Sequence, residues 1–268
     1  MGCDLVDIGA NLGHESFGHD LAAVLERARS AGVSQLMITG ASRQGSLDAL
    51  AVVERGGAGL WATAGIHPHH AEEYDADTEE VLAKLHADPR VLAVGETGLD
   101  YFRDLSPRPA QCFSFEQHIA LAQRCGKPMF LHQRDAHEDF MAVFKPLRDK
   151  VGAAVVHCFT GTRDELHDYL DLDLHIGLTG WICDERRGSH MLEFLSDIPR
   201  DRLMIESDSP YLMPRTLRPK PKHRRNEPAF LPEVLQMLAQ ARGESEADVA
   251  AYTSATARAF FELPEPAL

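Results

Sequence analysis

The chain has 268 residues, with 27 Lys and Arg against 41 Asp and Glu, for a formal net charge of −14 at pH 7. That balance excludes a uniformly basic nucleic-acid-binding domain, and 44% hydrophobic with 25% charged residues excludes a disordered or fibrous chain. A chain of this length buries roughly three-quarters of the surface it exposes when unfolded, so it needs neither disulfides nor a structural metal to fold. In chain order, short apolar runs rich in β-branched residues fall at Leu5 to Ile8, Gln35 to Thr39, Leu60 to Gly65, Val91 to Gly95, Pro128 to Leu131, Ala153 to Val156, Leu174 to Leu178 and Leu203 to Ile205. Their near-continuous apolarity suits parallel strands buried on both faces. Between them, Leu21 to Ala31, Thr78 to Leu85 and Cys112 to Arg124 carry helical spacing of apolar residues. Two closing helices follow, Phe230 to Arg242 and Glu246 to Leu263, the first with Asn226 as cap candidate and Pro228 in its first turn. Eight strand-helix repeats over about 250 residues predict an α/β chain folded as a single (β/α)8 TIM barrel, and with no low-complexity linker in it, residues 1–268 read as one domain. The alternative is a doubly wound open sheet, but no G-x-G-x-x-G follows the first run.

The start, Met1-Gly2-Cys3-Asp4-Leu5-Val6, has no basic leader, and Val6 stands where N-myristoylation needs Ser or Thr. No apolar stretch reaches the length of a membrane span. Cys3, Cys112, Cys125, Cys158 and Cys183 contain no C-x-x-C pair and read as reduced thiols. The expected setting is the cytoplasm, with no membrane partner.

Four polar residues interrupt the runs near their C-terminal ends: Glu96 after Val94, His132 after Phe130, His157 after Val155 and Asp208 after Glu206, each pair on one strand face by alternation. In a parallel barrel these ends converge on one mouth, where catalytic groups gather. Two imidazoles and two carboxylates there make a candidate divalent-metal site, the carboxylates suiting Mg²⁺ or Mn²⁺ and the imidazoles Zn²⁺. One strand-end histidine among 14 is more often a structural hydrogen-bonder, but four ligand types at one mouth favour the metal reading. Nearby, His67 in Gly65-Ile66-His67-Pro68-His69 is a candidate anion donor, and Asp100 either orients a ligand or caps a loop. Thr160 and Thr162 either face the site or cap the next helix. Six of the 27 cations, Arg215, Arg218, Lys220, Lys222, Arg224 and Arg225, lie in eleven residues beyond Asp208, where barrels commonly bind phosphate. Arg224 and Arg225 are the candidate substrate contacts, and Arg186-Arg187 an extension of the patch.

Taken together, Asp7 to Leu12, Gly65 to His69, Gly95 to Asp100, His132 to Ala136, His157 to Gly161, Gly180 to Gly188, Glu206 to Tyr211 and Arg225 to Pro228 resemble the TatD family of metal-dependent deoxyribonucleases, within the amidohydrolase-like barrels. The segment Gly-Trp-Ile-Cys-Asp-Glu-Arg-Arg-Gly is similar to TatD proper. The resemblance implies a Mg²⁺-dependent 3′ to 5′ exonuclease preferring single-stranded DNA or RNA, in repair or turnover of nucleic acid. By it, Glu96 is the metal-bridging carboxylate, His132 and His157 the imidazole ligands, and Asp208 a metal ligand or proton acceptor, so that Glu96 and Asp208 are the catalytic pair. Most of the family has Asp-x-His-x-His at the first strand, whereas Gly9 and Asn11 stand at the His positions here. The expectation is therefore one firmly held divalent ion, Mg²⁺ with Mn²⁺ or Zn²⁺ as alternatives, a weaker second ion arriving with substrate, and a monomeric enzyme. The competing functions are an amidohydrolase acting on a C–N bond and a non-catalytic nucleic-acid-binding or partner protein.

Overall fold

The computed structural model describes residues 4–265. Eight strands, β1 (Leu5–Ala10), β2 (Val33–Ile38), β3 (Leu60–Ala64), β4 (Val91–Asp100), β5 (Met129–Arg134), β6 (Ala154–Val156), β7 (His175–Leu178) and β8 (Leu203–Ile205), lie in sequential order and pair in parallel. The seam between first and last is closed by the chain just past β8. Asp208 N–H donates to Gly9 O at 2.8 Å and Asn11 N–H to Ser209 O at 2.7 Å. That closure makes a barrel and overturns the open-sheet alternative.

Helices α1 (Leu21–Ser30), α2 (Arg43–Gly56), α3 (Ala76–His86), α4 (Arg108–Cys125), α5 (His137–Phe144) and α6 (Arg163–Asp171) follow the first six strands, and α7 (Leu231–Arg242) and α8 (Glu246–Phe261) follow β8. The expected eightfold alternation fails once. Between β7 and β8 short 3-10 turns, such as Gly180–Cys183 and Ser189–Glu193, replace a helix. The starts are set locally: Ser42, Asp75 and Ser245 each accept a backbone N–H in the first turn of their helix, and Thr162 forms a capping box with Glu165. Thr162 is thus a helix cap. Asn226 is not: its side chain is buried, donating to Ser207 O at 2.7 Å, and it fastens the loop to the end of β8.

The core has two layers. Val6, Ile8, Met37, Ala93, Phe130, Val155 and Met204 fill the barrel, and Ala257, Phe260 and Phe261 of α8 join them. Because Ser254 of α8 bonds Asp4 O and Arg258 bonds Gln35, this helix crosses the N-terminal ends of the strands and plugs that end. Leu36, Leu82, Phe115, Phe140, Leu166 and Leu235 belong to the outer layer between strands and helices. With the bottom stoppered, the C-terminal mouth is left for chemistry. No helix among the described residues is long and apolar enough to cross a membrane. Cys112, Cys125, Cys158 and Cys183 are free thiols, and Cys3 lies outside the described residues.

Candidate metal centre

Glu96, His132 and His157 meet at the mouth. Glu96 Oε1 lies 2.9 Å from His132 Nδ1 and 2.7 Å from His157 Nε2, and the two imidazole nitrogens are 3.4 Å apart. His132 and His157 reach the mouth as expected, each two residues after an inward-facing Phe130 or Val155. Glu96 does not. Val94 packs in the outer layer and Ala93 in the inner one, so simple alternation from Val94 would turn Glu96 outward. The strand corrects itself: Val94 pairs with Met129 and Thr97 with Leu131, three steps against two, and this irregularity re-aims the carboxylate. Gly95 and Gly98 flank it at φ of 141° and 140°, which L side chains rarely adopt.

Around the trio the electrostatics favour an anion bound by imidazoles. Burial alone would raise Glu96, but the imidazoles of His67 and His157 beside it, with hydrogen bonds from His132 and His157, hold its carboxyl well below the usual range. His157 is buried, which disfavours its charged form, yet the carboxylates of Glu96 and Glu206 carry it well above the ordinary imidazole value. His67 joins this group. Its Nδ1 accepts the His69 N–H at 3.0 Å, which leaves Nε2–H facing Glu96 Oε1 at 3.3 Å. Asp100 caps its loop, Oδ1 accepting the Arg103 N–H at 2.9 Å, while Oδ2 faces His69 at 2.7 Å and lies 3.6 Å from His132 Nε2. Ligand atoms of Glu96, His132 and His157, and separately of His67, Asp100 and His132, lie within 4.8 Å of one another.

Asp208 stands beside this group without belonging to either trio. Its Oδ1 accepts from Asn11 Nδ2 at 3.0 Å, which orients the carboxylate. Burial, reinforced by the charges of Glu96 and Glu206 and opposed by His157, pushes it up to about 8. Two carboxylates went unremarked as functional in the sequence. Glu206 is completely buried, with Oε2 3.3 Å from His157 Nδ1 and Oε1 accepting the Cys158 N–H at 2.5 Å. Asp7 accepts the N–H groups of Gly9 and Ser207 at 3.2 and 2.9 Å, and burial pushes it up to about 7. The available signal was a carboxylate closing the apolar run for Glu206 and one interrupting it for Asp7.

The basic loop is less free than its composition suggests. Arg225 is held by Asp20 at 2.8 Å, Glu227 at 2.7 Å and Ser16 O at 2.6 Å, and it lies over the Phe17 ring. Arg215 pairs with Glu185 at 3.2 Å, and Arg218 donates to the carbonyls of Arg215, Thr216 and Leu217. Arg187 is tied to Asp184 at 2.8 Å. Arg224, Lys220 and Lys222 are exposed, with no hydrogen bond or ion pair among the described residues.

The donor set fits a divalent ion. Two ligands on one ion at about 2.1 Å stand about 3.0 to 3.4 Å apart, near the 2.7, 2.9 and 3.4 Å found here. A closed parallel barrel whose mouth gathers imidazoles and carboxylates in this way is a barrel hydrolase of the metal-dependent class. The chain belongs to the TatD related DNase family, whose sequence model matches residues 6–262. It is 46% identical over 259 residues to the 3′-5′ ssDNA/RNA exonuclease TatD of Erwinia tasmaniensis, covering 97% of this chain and all of that protein. The fold matches the crystal structure of YjjV, a TatD homolog of Escherichia coli k12, with TM-score 0.88 and 26% identity over 98% of this chain and all of that one. A TatD family hydrolase of Entamoeba histolytica matches with TM-score 0.87 and 26% identity, over 97% of this chain and 99% of that one.

Proposed function

We propose that this protein is a metal-dependent exonuclease that removes nucleotides from the 3′ end of single-stranded DNA, and of RNA, by hydrolysing phosphodiester bonds. The observation that carries the reading is the convergence of Glu96, His132 and His157 beside Asp208 at the open end of a stoppered barrel; the polarity and substrate class follow the exonucleases this chain resembles. Glu96, His132 and His157 would hold the ion, Mg²⁺ by preference for carboxylate oxygen, with Mn²⁺ or Zn²⁺ as substitutes. When bound, the ion supplies neutralisation of phosphoryl oxygens and a nucleophilic water of lowered pKa.

This chain's own groups do the rest. Asp208, with Oδ1 engaged by Asn11, has Oδ2 free to take the water's proton, and cationic charge beside it favours the ionised form that does so. His67 offers Nε2–H to a phosphoryl oxygen. Glu206 fixes the ring of His157 through Nδ1. A second, weaker ion entering with substrate would lean on Asp208 and Glu96, since Gly9 and Asn11 supply no imidazole. Arg224 remains a contact for the substrate backbone, whereas the bonds of Arg225 favour a structural role. Four free thiols among the described residues support a reducing compartment such as the cytoplasm, and we read the enzyme as a monomer built on one barrel domain.

The test is 5′-labelled single-stranded DNA with Mg²⁺. Stepwise shortening from the 3′ end, abolished by chelator and reduced at least about a hundredfold in Glu96→Ala and His157→Ala, is the expected result. Metal-dependent cleavage that survives either substitution in folded protein defeats the site assignment. Intact DNA with retained binding would instead favour a binding module, and intact DNA with turnover in an amide-substrate screen an amidohydrolase.

A further inference from the structure

Above the centre, the mouth carries a stack of rings and guanidinium planes that neither the metal site nor the fold requires. Arg134 follows His132 by two residues on β5 and so shares its face of the strand, one step of about 7 Å further out. Its Cζ lies 4.0 Å from the centroid of Phe102, which follows β4, and 5.1 Å from that of Trp181, which follows β7. Arg187 covers Trp181 at 4.2 Å. The order Phe102, Arg134, Trp181, Arg187 therefore crosses the rim from the fourth strand to the seventh.

Three features set this apart from ordinary surface packing. Phe102 is 55% exposed, a large apolar ring turned to solvent beside the mouth. Arg187, Arg215 and Arg225 are each held by carboxylates, but the Arg134 guanidinium has neither a hydrogen bond nor an ion pair among the described residues; only its backbone carbonyl is engaged, accepting the Tyr101 N–H. Trp181 is nearly buried, so its ring braces Arg134 from below. An exposed ring next to an uncommitted, prealigned guanidinium offers a π-face for a base and a cation for the phosphate that follows it.

We infer that Phe102 and Arg134, backed by Trp181, form the platform on which the base adjoining the scissile phosphodiester stacks, an assignment that rests on the exonuclease reading above. Stacking needs an unpaired base, so the platform selects single strands over duplex. It reads neither base identity nor the 2′-hydroxyl, so DNA and RNA are both accepted and sequence matters little.

The chain has two tryptophans, Trp61 and Trp181. Trp61 lines a cleft with Asp4 and Pro264 at the opposite end of the barrel, so Trp61→Phe leaves Trp181 as the reporter. Titrating that Mg²⁺-loaded protein with a hydrolysis-resistant phosphorothioate oligo-dT of about 12 residues should quench Trp181 saturably, while a blunt duplex of equal length should not. Fluorescence anisotropy of labelled oligo-dT should show binding weakened roughly tenfold or more in Phe102→Ala and Arg134→Gln. Phe102→Tyr should restore it, and Arg134→Lys, which keeps the charge without the plane, should not. In cleavage assays the loss should fall mainly on KM. Wild-type affinity in both Phe102→Ala and Arg134→Gln, oligo-dT binding that leaves Trp181 fluorescence unchanged, or no binding at all overturns the platform. Failure of the exonuclease reading looks different: intact DNA in the Mg²⁺ assay while the quench and its loss in the variants persist.

Discussion

Glu206 occupies the space that position 9 leaves open. A Cβ added to Gly9 would lie 2.3 Å from Glu206 Oε2 and 3.1 Å from the Phe130 ring. A side chain at position 9 would therefore require the Glu206 carboxylate to shift from its present place. In that place the carboxylate meets His157 Nδ1, fixes its tautomer and points Nε2 at Glu96. Glu206→Ala should therefore weaken Mn²⁺ binding roughly 10- to 100-fold by isothermal titration calorimetry. Glu206→Gln, which keeps an acceptor for the Cys158 N–H but loses the charge, should fall between the two. A change under about threefold in the alanine variant would mean that packing alone holds the His157 ring.

Among the elements, β4 is where the sequence pattern and the structure part company. A Cβ on Gly98 would sit 2.0 Å from His132 O, and at Gly95 2.1 Å from Phe130 O. These glycines let β4 lie against β5 while its register shifts, and that shift brings Glu96 to His132. Gly98→Ala should cost more than about 3 kcal/mol in urea unfolding, from unfavourable φ and steric overlap together, with metal binding lost before global unfolding. Retained stability would show that β4 can take up the side chain. The eight strands were legible because buried parallel strands have near-continuous apolar sequence, and His132 and His157 because β5 and β6 alternate without interruption. Glu96 was found although the alternation argument for it fails, since an irregular strand leaves no trace in hydrophobic period beyond its glycines. The ion pairing of Arg225 was illegible for another reason. Its carboxylate partner Asp20 lies 205 residues away, and a long-range ion pair has no local sequence signature. The missing helix before β8 was hidden because the run after Gly180 still holds apolar residues, Ile182, Met191 and Leu195 among them, which pack as 3-10 turns.

For the whole molecule, acid stability and salt response both follow from where charge is placed. His118 is fully buried, with Nδ1–H donating to Ser114 O at 2.6 Å and Nε2 accepting the Ile66 N–H at 3.0 Å, one residue before His67. Burial pushes its pKa down to about 4. Because the folded form stays neutral while the unfolded form takes up a proton below about 6.5, its contribution is fully present above that pH and is lost as pH falls toward 4. The buried carboxyl of Asp7, raised to about 7, acts in the opposite sense over the same range, so the difference between wild type and His118→Gln is the informative quantity. Urea unfolding should show that difference shrinking by about 2 to 3 kcal/mol between pH 7.5 and 4.5, and a constant difference would exclude a buried neutral imidazole. Salt probes the outer charge. Against a net charge of −14, Lys220, Lys222, Arg224 and Arg134 are among the cations free to meet phosphate, whereas Arg215, Arg218 and Arg225 are already engaged. Three or four phosphate contacts on a single strand give a slope of log kcat/KM against log salt of about −2 to −3. Arg224→Gln should reduce that slope by about 0.7, whereas Arg225→Gln should leave it unchanged and lower the melting temperature, since its loss uncouples Asp20 and Glu227. A reversal of those two outcomes would put Arg225 on the substrate, and a slope near zero would make the whole loop a solvated surface.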